Sequence, residues 1–147
     1  MNNFLPRPIE ILLVEDSLID IKLIVKVFEQ ITIPHHLKVV KDGVSALACL
    51  LKQGQYHSYP KPDLILLDLH LPRKDGLEVL QEIKSDERFA SIPVIMLTAS
   101  DNHYDIAQCY RKEANCYLIK PSNLQEFEQT IKIIRDFWLQ MVQLPMT

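Results

Sequence analysis

Glycine is scarce in this sequence, and the few glycines lie far apart. The 147 residues contain only Gly43, Gly54 and Gly76, where average usage of about 7% would give roughly ten. Their spacing forms neither the G-x-G-x-x-G fingerprint of dinucleotide-binding folds nor the G-x-x-x-x-G-K-[ST] loop that surrounds nucleotide phosphates. The sequence therefore excludes a glycine-rich phosphate loop, and with it most nucleotide-binding α/β enzymes.

Cysteine is also rare, and long apolar runs are missing. Cys49, Cys109 and Cys116 are odd in number and show no C-x-x-C spacing. The longest stretch without a charged residue, 89–100, is far too short to span a bilayer. Residues 1–8 contain no apolar segment of the kind found in signal peptides. We expect a soluble protein of the reducing cytoplasm, with buried or inert thiols and no membrane partner.

Charge of one sign does not dominate the sequence. Lysine and arginine number 16, and aspartate and glutamate 19, which gives a net charge of −3. A charge so close to zero gives no electrostatic reason to expect a nucleic-acid partner. The length fits one domain. We expect residues 1–147 to form a single domain with its core at about 8–137 and a C-terminal helix extension and tail over 138–147.

Short apolar runs alternate with amphipathic segments five times along the chain. The pattern predicts strands at 9–14, 37–40, 64–67, 94–97 and 116–119, and helices at 17–31, 43–52, 77–84, 102–112 and from 123 onward. Strands that are apolar on both faces are typical of a parallel sheet covered by helices. The predicted fold is α/β: a flavodoxin-like, doubly wound, five-stranded parallel sheet, (βα)5, with strand order 2-1-3-4-5. His35 and His36 fall in a polar connection, where we expect them to be solvated.

Polar side chains follow four of the five predicted strands. Glu15 and Asp16 end the first strand, Asp68 the third, Thr98 the fourth and Lys120 the fifth. Each has an ordinary explanation when taken alone: an acidic start to a helix, a capping threonine or a solvated lysine. The carboxyl ends of parallel strands meet at one edge of a sheet, where ligands bind. The common location therefore favours a functional site.

The residue types at this edge indicate phosphoryl chemistry. Three converging carboxylates repel one another unless a cation joins them. Oxygen ligands without clustered histidine or cysteine favour Mg²⁺ over Zn²⁺. Lys120 and Thr98 add hydrogen-bond donors for an anion. This combination is what an aspartyl phosphate on Asp68 requires.

The sequence motifs resemble the receiver domain of two-component response regulators. The matching segments are Leu13-Val-Glu-Asp-Ser17, Leu66-Leu-Asp-Leu-His-Leu-Pro-Arg-Lys-Asp-Gly76, Leu97-Thr-Ala99 and Tyr117-Leu-Ile-Lys-Pro121. They occur in family order and cover roughly residues 8–137. The resemblance implies that Asp68 accepts a phosphoryl group from a histidine of a sensor kinase. It also implies that Mg²⁺ is bound by the side chains of Glu15, Asp16 and Asp68 and by the backbone carbonyl of His70.

The same resemblance implies a conformational switch. Thr98 would contact the phosphoryl group and reorient, Tyr117 would rotate inward, and Lys120 would pair with the phosphate. Tyr117 could instead be a surface tyrosine. The acidic pair is Glu-Asp rather than Asp-Asp, so we expect Glu15 to reach the metal through water. A cis peptide bond between Lys120 and Pro121 is also expected from the family.

The last predicted helix carries two apolar stripes. Leu124, Phe127, Ile131 and Ile134 are predicted to face the sheet, and Ile133, Phe137 and Met141 form a second stripe. With Trp138, this second stripe is the predicted interface of a homodimer, formed through strands four and five and the last helix. The alternative is a tail folded back over its own domain. Because about 30 residues follow the fifth strand, we expect no output domain.

The sequence is also similar to the stand-alone cyanobacterial phytochrome response regulators. The similarity lies in Phe137-Trp-Leu139, the closing Leu144-Pro145, the loop 53–62 and Asn115-Cys-Tyr-Leu118. It implies a homodimer and a partner kinase that senses red and far-red light.

Two other functions are compatible with parts of the sequence. One is a phosphorylation-independent receiver scaffold, against which the complete set of site residues argues. The other is an aspartate-nucleophile phosphatase, since Asp68-x-His70 partly matches the nucleophile motif of the haloacid-dehalogenase class. That class has Asp-x-Asp at the end of its first sheet strand, whereas Asp68 follows the third.

Overall fold

Five parallel strands form one central sheet. The computed structural model describes residues 7–145. The strands are β1 (Ile9–Val14), β2 (His35–Val40), β3 (Leu64–Leu67), β4 (Val94–Thr98) and β5 (Cys116–Ile119). Their order is β2-β1-β3-β4-β5, and all four pairings are parallel. The predicted fold class and strand order are therefore confirmed.

Each of the five strands leads to an α-helix, and each of the five helices begins at a side-chain cap. The helices are α1 (Leu18–Glu29), α2 (Gly43–Leu50), α3 (Gly76–Ser85), α4 (His103–Arg111) and α5 (Leu124–Asp136); a 3₁₀ turn (Gly54–Tyr56) follows α2 and a π-helical segment (Phe137–Met141) follows α5. The residue before each α-helix accepts a hydrogen bond from a first-turn backbone N–H, which satisfies one of the unpaired donors there. These caps are Ser17, Asp42, Asp75, Asn102 and Asn123.

Two apolar cores lie on opposite faces of the sheet. Because successive strand residues point to opposite faces, Leu12 of β1 joins a core with α2, α3 and α4, and Leu13 joins one with α1 and α5. Burial on both faces explains why β3 is apolar throughout and why β1 and β4 are apolar except for Glu10 and Thr98. Within residues 7–145, the helices are too short or too polar to cross a membrane.

The sequence-based placement of His35 and His36 in a connection between elements is wrong, although His36 is exposed to solvent as expected. β2 begins at His35, two residues earlier than predicted, and His35 and His36 pair with Ile9 and Glu10 of β1. His36 Nδ1 also lies 2.7 Å from a carboxylate oxygen of Glu10. The pattern of this segment is polar because β2 is an edge strand, and its pairing depends on a distant part of the chain.

The end of the chain folds back in part over its own domain and leaves the second apolar stripe exposed. Phe127, Ile131 and Ile134 face the core as predicted, but Leu124 is 57% exposed because it opens the helix ahead of these packed positions. Three residues of the extension, Trp138, Leu139 and Leu144, pack back against the core beneath α1 and α5. Ile133, Phe137 and Met141 are exposed.

Candidate functional site

Asp68 lies at the end of β3, where the chain leaves the sheet. Asp68 is buried, with 8% of its surface exposed. Its Oδ1 accepts a 2.7 Å hydrogen bond from the backbone N–H of Leu69, which fixes the orientation of the carboxylate. The loop then folds back tightly, since the N–H of Gly76 donates to the carbonyl of Leu69 at 2.7 Å. A Cβ on Gly76 would lie 2.1 Å from the carbonyl oxygen of Asp68, so only glycine fits there.

The three predicted carboxylates converge at this edge of the sheet. Glu15, Asp16 and Asp68 each offer one oxygen atom, and these atoms all lie within 4.8 Å of one another. Glu15 is buried, whereas Asp16 is exposed. A cluster that offers only oxygen ligands fits a hard divalent cation. The chemistry of the cluster therefore agrees with the predicted type of metal site.

Both oxygen atoms of Glu15 already have hydrogen-bond partners. Oε2 accepts from the backbone N–H groups of Asp16 and Ser17, at 3.1 Å each. Oε1 accepts from Lys120 Nζ at 2.5 Å. Burial raises the pKa of Glu15 to about 7, although the bond to Lys120 acts in the opposite direction. Glu15 is thus held firmly in place by the start of α1 and by Lys120.

Lys120 contacts three carboxylates, which follow β1, lie in α1 and follow β3. Besides Glu15, its Nζ contacts Asp20 Oδ2 at 2.8 Å and Asp68 Oδ2 at 3.2 Å, and its side chain is 9% exposed. Burial lowers the pKa of Lys120, but the bonds to Asp20 and Glu15 and the charge of Asp68 outweigh it, so the pKa lies above its usual value. Lys120 is a cation, and the acids around it leave an excess of negative charge.

The sequence analysis missed Asp20 as a member of this site. Asp20 lies in the first turn of α1, where its backbone N–H donates a hydrogen bond to Ser17 Oγ. Its side chain also contacts Lys120, which is 100 residues away in the chain. One signal was available. Because Ser17, the residue after Asp16, caps α1, the first-turn side chain of Asp20 stays near the same edge of the sheet.

Thr98 and Tyr117 lie in the neighbouring strands β4 and β5 and are both buried. Thr98, which ends β4, is fully buried, and its Oγ1 accepts a long hydrogen bond of 3.4 Å from the N–H of Ser100. Tyr117 is 9% exposed, so the alternative of a surface tyrosine is wrong. Its hydroxyl donates to the carbonyl oxygen of Ser100 at 2.9 Å. Both side chains therefore meet the loop that follows β4.

His70 is exposed in the loop after β3. The expected cis bond between Lys120 and Pro121 is not found, because every peptide bond of residues 7–145 is trans. Lys120 is instead positioned by the sheet: its backbone N–H donates to the carbonyl oxygen of Thr98 at 2.7 Å.

The sequence matches the family model of the response regulator receiver domain over residues 11–132. The chain is 47% identical over 138 residues to the response regulator Rcp1 of Synechocystis, covering 94% of each protein. The solved structure of the phosphorylated cyanobacterial phytochrome response regulator RcpA is 46% identical, with a TM-score of 0.92, and the match covers 95% of this chain and 99% of that one. For the Mn²⁺-bound form of Rcp1 the corresponding values are 47%, 0.93, 95% and 100%.

The family match includes most of β1, all of β2 to β5 and all of the site described above. The sequence motifs, the strand order and the acidic edge therefore lead to one conclusion: the chain is a signalling protein that belongs to the response regulator receiver domain family.

Proposed function

We propose that this receiver domain accepts a phosphoryl group on Asp68 from the phosphohistidine of a sensor kinase. The observation that carries the proposal is the contact of Lys120 Nζ with the carboxylates of Glu15, Asp20 and Asp68 at one edge of the sheet. A fixed carboxylate beside a buried ammonium supplies a nucleophile and a charge that can hold the transferred group.

The transfer is a displacement at phosphorus. A carboxylate oxygen of Asp68 forms the new O–P bond, the N–P bond of the phosphohistidine breaks, and the imidazole leaves with the bonding electrons and takes up a proton. Lys120 pairs with the phosphoryl oxygens, and the Thr98 hydroxyl, after reorienting, donates a hydrogen bond to them. Water later attacks the phosphorus, which releases phosphate and restores the carboxylate of Asp68.

Mg²⁺ is the cation that we assign to the acidic cluster. Asp16 and Asp68 would hold it through side-chain oxygens, and His70 through its backbone carbonyl. Glu15 would act through water, because its carboxylate oxygens already accept bonds from Ser17, Asp16 and Lys120. When bound, the ion supplies positive charge that offsets the repulsion between carboxylates and phosphoryl group. The Mn²⁺-bound form of the relative Rcp1 supports a divalent ion here.

The kinase partner that we infer is a phytochrome. The support is the similarity to RcpA, which is described as a cyanobacterial phytochrome response regulator. Phosphotransfer from such a kinase places the protein in the cytoplasm, and the three cysteines, none in a disulfide, fit that compartment.

The output that we propose is a change in self-association through β4, β5 and the last helix. Ile119 is 44% exposed on β5, and the outer stripe of the last helix is more exposed still: Ile133 68%, Phe137 47% and Met141 71%. Trp138 lies at the border of this surface, where it packs partly against its own core. The switch residues Thr98 and Tyr117 belong to β4 and β5 and would convey the state of Asp68 to this face.

Direct labelling tests the proposed phosphoacceptor. We expect the protein, incubated with acetyl phosphate and Mg²⁺, to gain one phosphoryl group by intact-mass spectrometry, and a chelator to prevent the gain. Asp68→Asn should not be labelled. Asp101→Asn removes the same charge from an exposed position in the loop after β4 and serves as the matched control. Equal labelling of Asp68→Asn and the parent would refute the assignment.

A further inference from the structure

Asp20 contacts Lys120 but belongs to neither the proposed metal cluster nor the phosphoacceptor. We propose that Asp20 is a positioning residue that draws Lys120 away from Asp68 and thereby slows phosphorylation of this receiver. The inference rests on the proposed function, because it concerns the rate of the same transfer.

The three distances from Lys120 Nζ differ in a consistent way. The contacts with Glu15 and Asp20 are 2.5 and 2.8 Å, whereas the contact with Asp68 is 3.2 Å. Charge-assisted N–H···O bonds are usually about 2.7–2.9 Å long. The ammonium group is therefore bound closely by the acids on the side of α1 and loosely by the phosphoacceptor. To pair fully with a phosphoryl group on Asp68, it has to move away from Asp20.

The charge of Asp20 acts in the same direction. The side chain of Asp20 is 19% exposed, and the same ammonium group of Lys120 contacts both Asp20 and Asp68. The phosphodonor that reaches Asp68 is an anion, so one more carboxylate at this short range repels it. Removing the charge and releasing the lysine both favour the transfer, which makes the sign of the effect definite.

A purely structural role for Asp20 is the competing explanation. It is an acid in the first turn of α1, where a negative charge stabilises the helix through its dipole. Glu126 occupies the equivalent position in α5, three residues after the cap Asn123, and is exposed. Glu126→Gln therefore removes a first-turn acid without touching Lys120, and it measures the structural effect alone.

The experiment compares rate constants for phosphorylation of Asp68 by acetyl phosphate at saturating Mg²⁺, followed by intact-mass spectrometry. We expect Asp20→Asn to react about threefold to tenfold faster than the parent, which corresponds to about 0.6 to 1.4 kcal/mol. Glu126→Gln should react at the parental rate. Asp20→Glu keeps a carboxylate within reach of the lysine, and its rate should lie closer to that of the parent than to that of Asp20→Asn.

The outcomes separate this inference from the proposed function. If the parent is labelled on Asp68 and Asp20→Asn reacts at the same rate or more slowly, Asp20 does not restrain Lys120 and the inference is wrong. It is also wrong if Glu126→Gln accelerates the reaction equally. If Asp68→Asn is labelled as well as the parent, the proposed function itself fails. Thermal unfolding midpoints of all variants confirm that the folded proteins are being compared.

Discussion

The phenol oxygen of Tyr110 on α4 accepts a 3.1 Å hydrogen bond from the backbone N–H of Tyr117 in β5. β5 lies at the edge of the sheet, where backbone groups on the outer side have no neighbouring strand. The hydroxyl of Tyr117 in turn donates to the carbonyl of Ser100. Two tyrosines thus connect α4, β5 and the loop after β4, next to the buried side chain of Thr98.

Removing the Tyr110 hydroxyl should release this edge of the sheet. In Tyr110→Phe, the amide of Tyr117 has only water as a partner, so we expect its hydrogen exchange to become faster. The free energy of unfolding should fall by about 0.5 to 1 kcal/mol, the net value of such a bond. Tyr104→Phe, on the exposed side of the same helix, is the control. Unchanged protection of the Tyr117 amide would show that the bond does not hold this edge.

We expect Gly76 to tolerate no side chain, whereas Gly54 should tolerate one at a small cost in stability. The Cβ of Gly76→Ala would meet the backbone of Asp68 at 2.1 Å and that of Leu69 at 2.7 Å, and neither can move without distorting the site. We expect the free energy of unfolding to fall by about 2 to 4 kcal/mol. Gly54 has a positive φ of 55° but nothing within 4 Å of the added atom, so Gly54→Ala should cost only about 1 kcal/mol. Denaturant titrations of both variants measure the difference, and equal losses would contradict it.

The sequence predicted the sheet and its functional edge because both depend on local patterns. A strand buried on two faces needs an unbroken apolar run, and the residue that follows it is polar only where a site or a turn requires it. Leu64–Leu67 followed by Asp68 satisfies both conditions, and the structure places this aspartate where the pattern indicated. Helix starts were equally readable, since Ser17 and Asp42 cap the helices that follow them.

Features that depend on distant pairing were not predictable in the same way. The polar sequence His35-His36 has no strand pattern, and only its pairing with Ile9 and Glu10 makes it part of β2. Asp20 has the local explanation of a helix-start acid, which concealed its contact with a lysine 100 residues later. The tail carries apolar residues on several sides, so the pattern alone could not decide which of them return to the core.

The buried thiol of Cys109 should make the protein less stable at alkaline pH. Burial, assisted by the charges of Asp105 and Asp75, raises its pKa to about 11 from an ordinary value of 9.0. The folded state therefore favours the neutral thiol, and this contribution is complete below pH 9 and is lost as the pH rises towards 11. The full loss amounts to roughly 2 to 3 kcal/mol.

Comparison with Cys109→Ala isolates this effect from other alkaline titrations. The free energy of unfolding of the parent, measured in denaturant, should fall relative to that of the variant between pH 9 and pH 11. The remaining groups titrate alike in both proteins and cancel in the difference. A difference that stays constant over this pH range would show that Cys109 does not titrate as described.

The last helix offers a test of which residues mediate association and which support the fold. Leu139 is 7% exposed in its own core, so Leu139→Ala should lower the free energy of unfolding by about 2 to 4 kcal/mol. Ile133 and Phe137 are 68% and 47% exposed, so changing both to serine should alter that free energy by about 0.5 kcal/mol or less.

The double variant should nevertheless be a monomer in sedimentation experiments under conditions in which the parent is a dimer. Leu124→Ser removes an equally exposed apolar group from the start of the helix and should leave the parental mass unchanged. A double variant that sediments with the mass of the parent would exclude this face as the dimer interface. Ile133 and Phe137 would then contribute measurably to neither folding nor association.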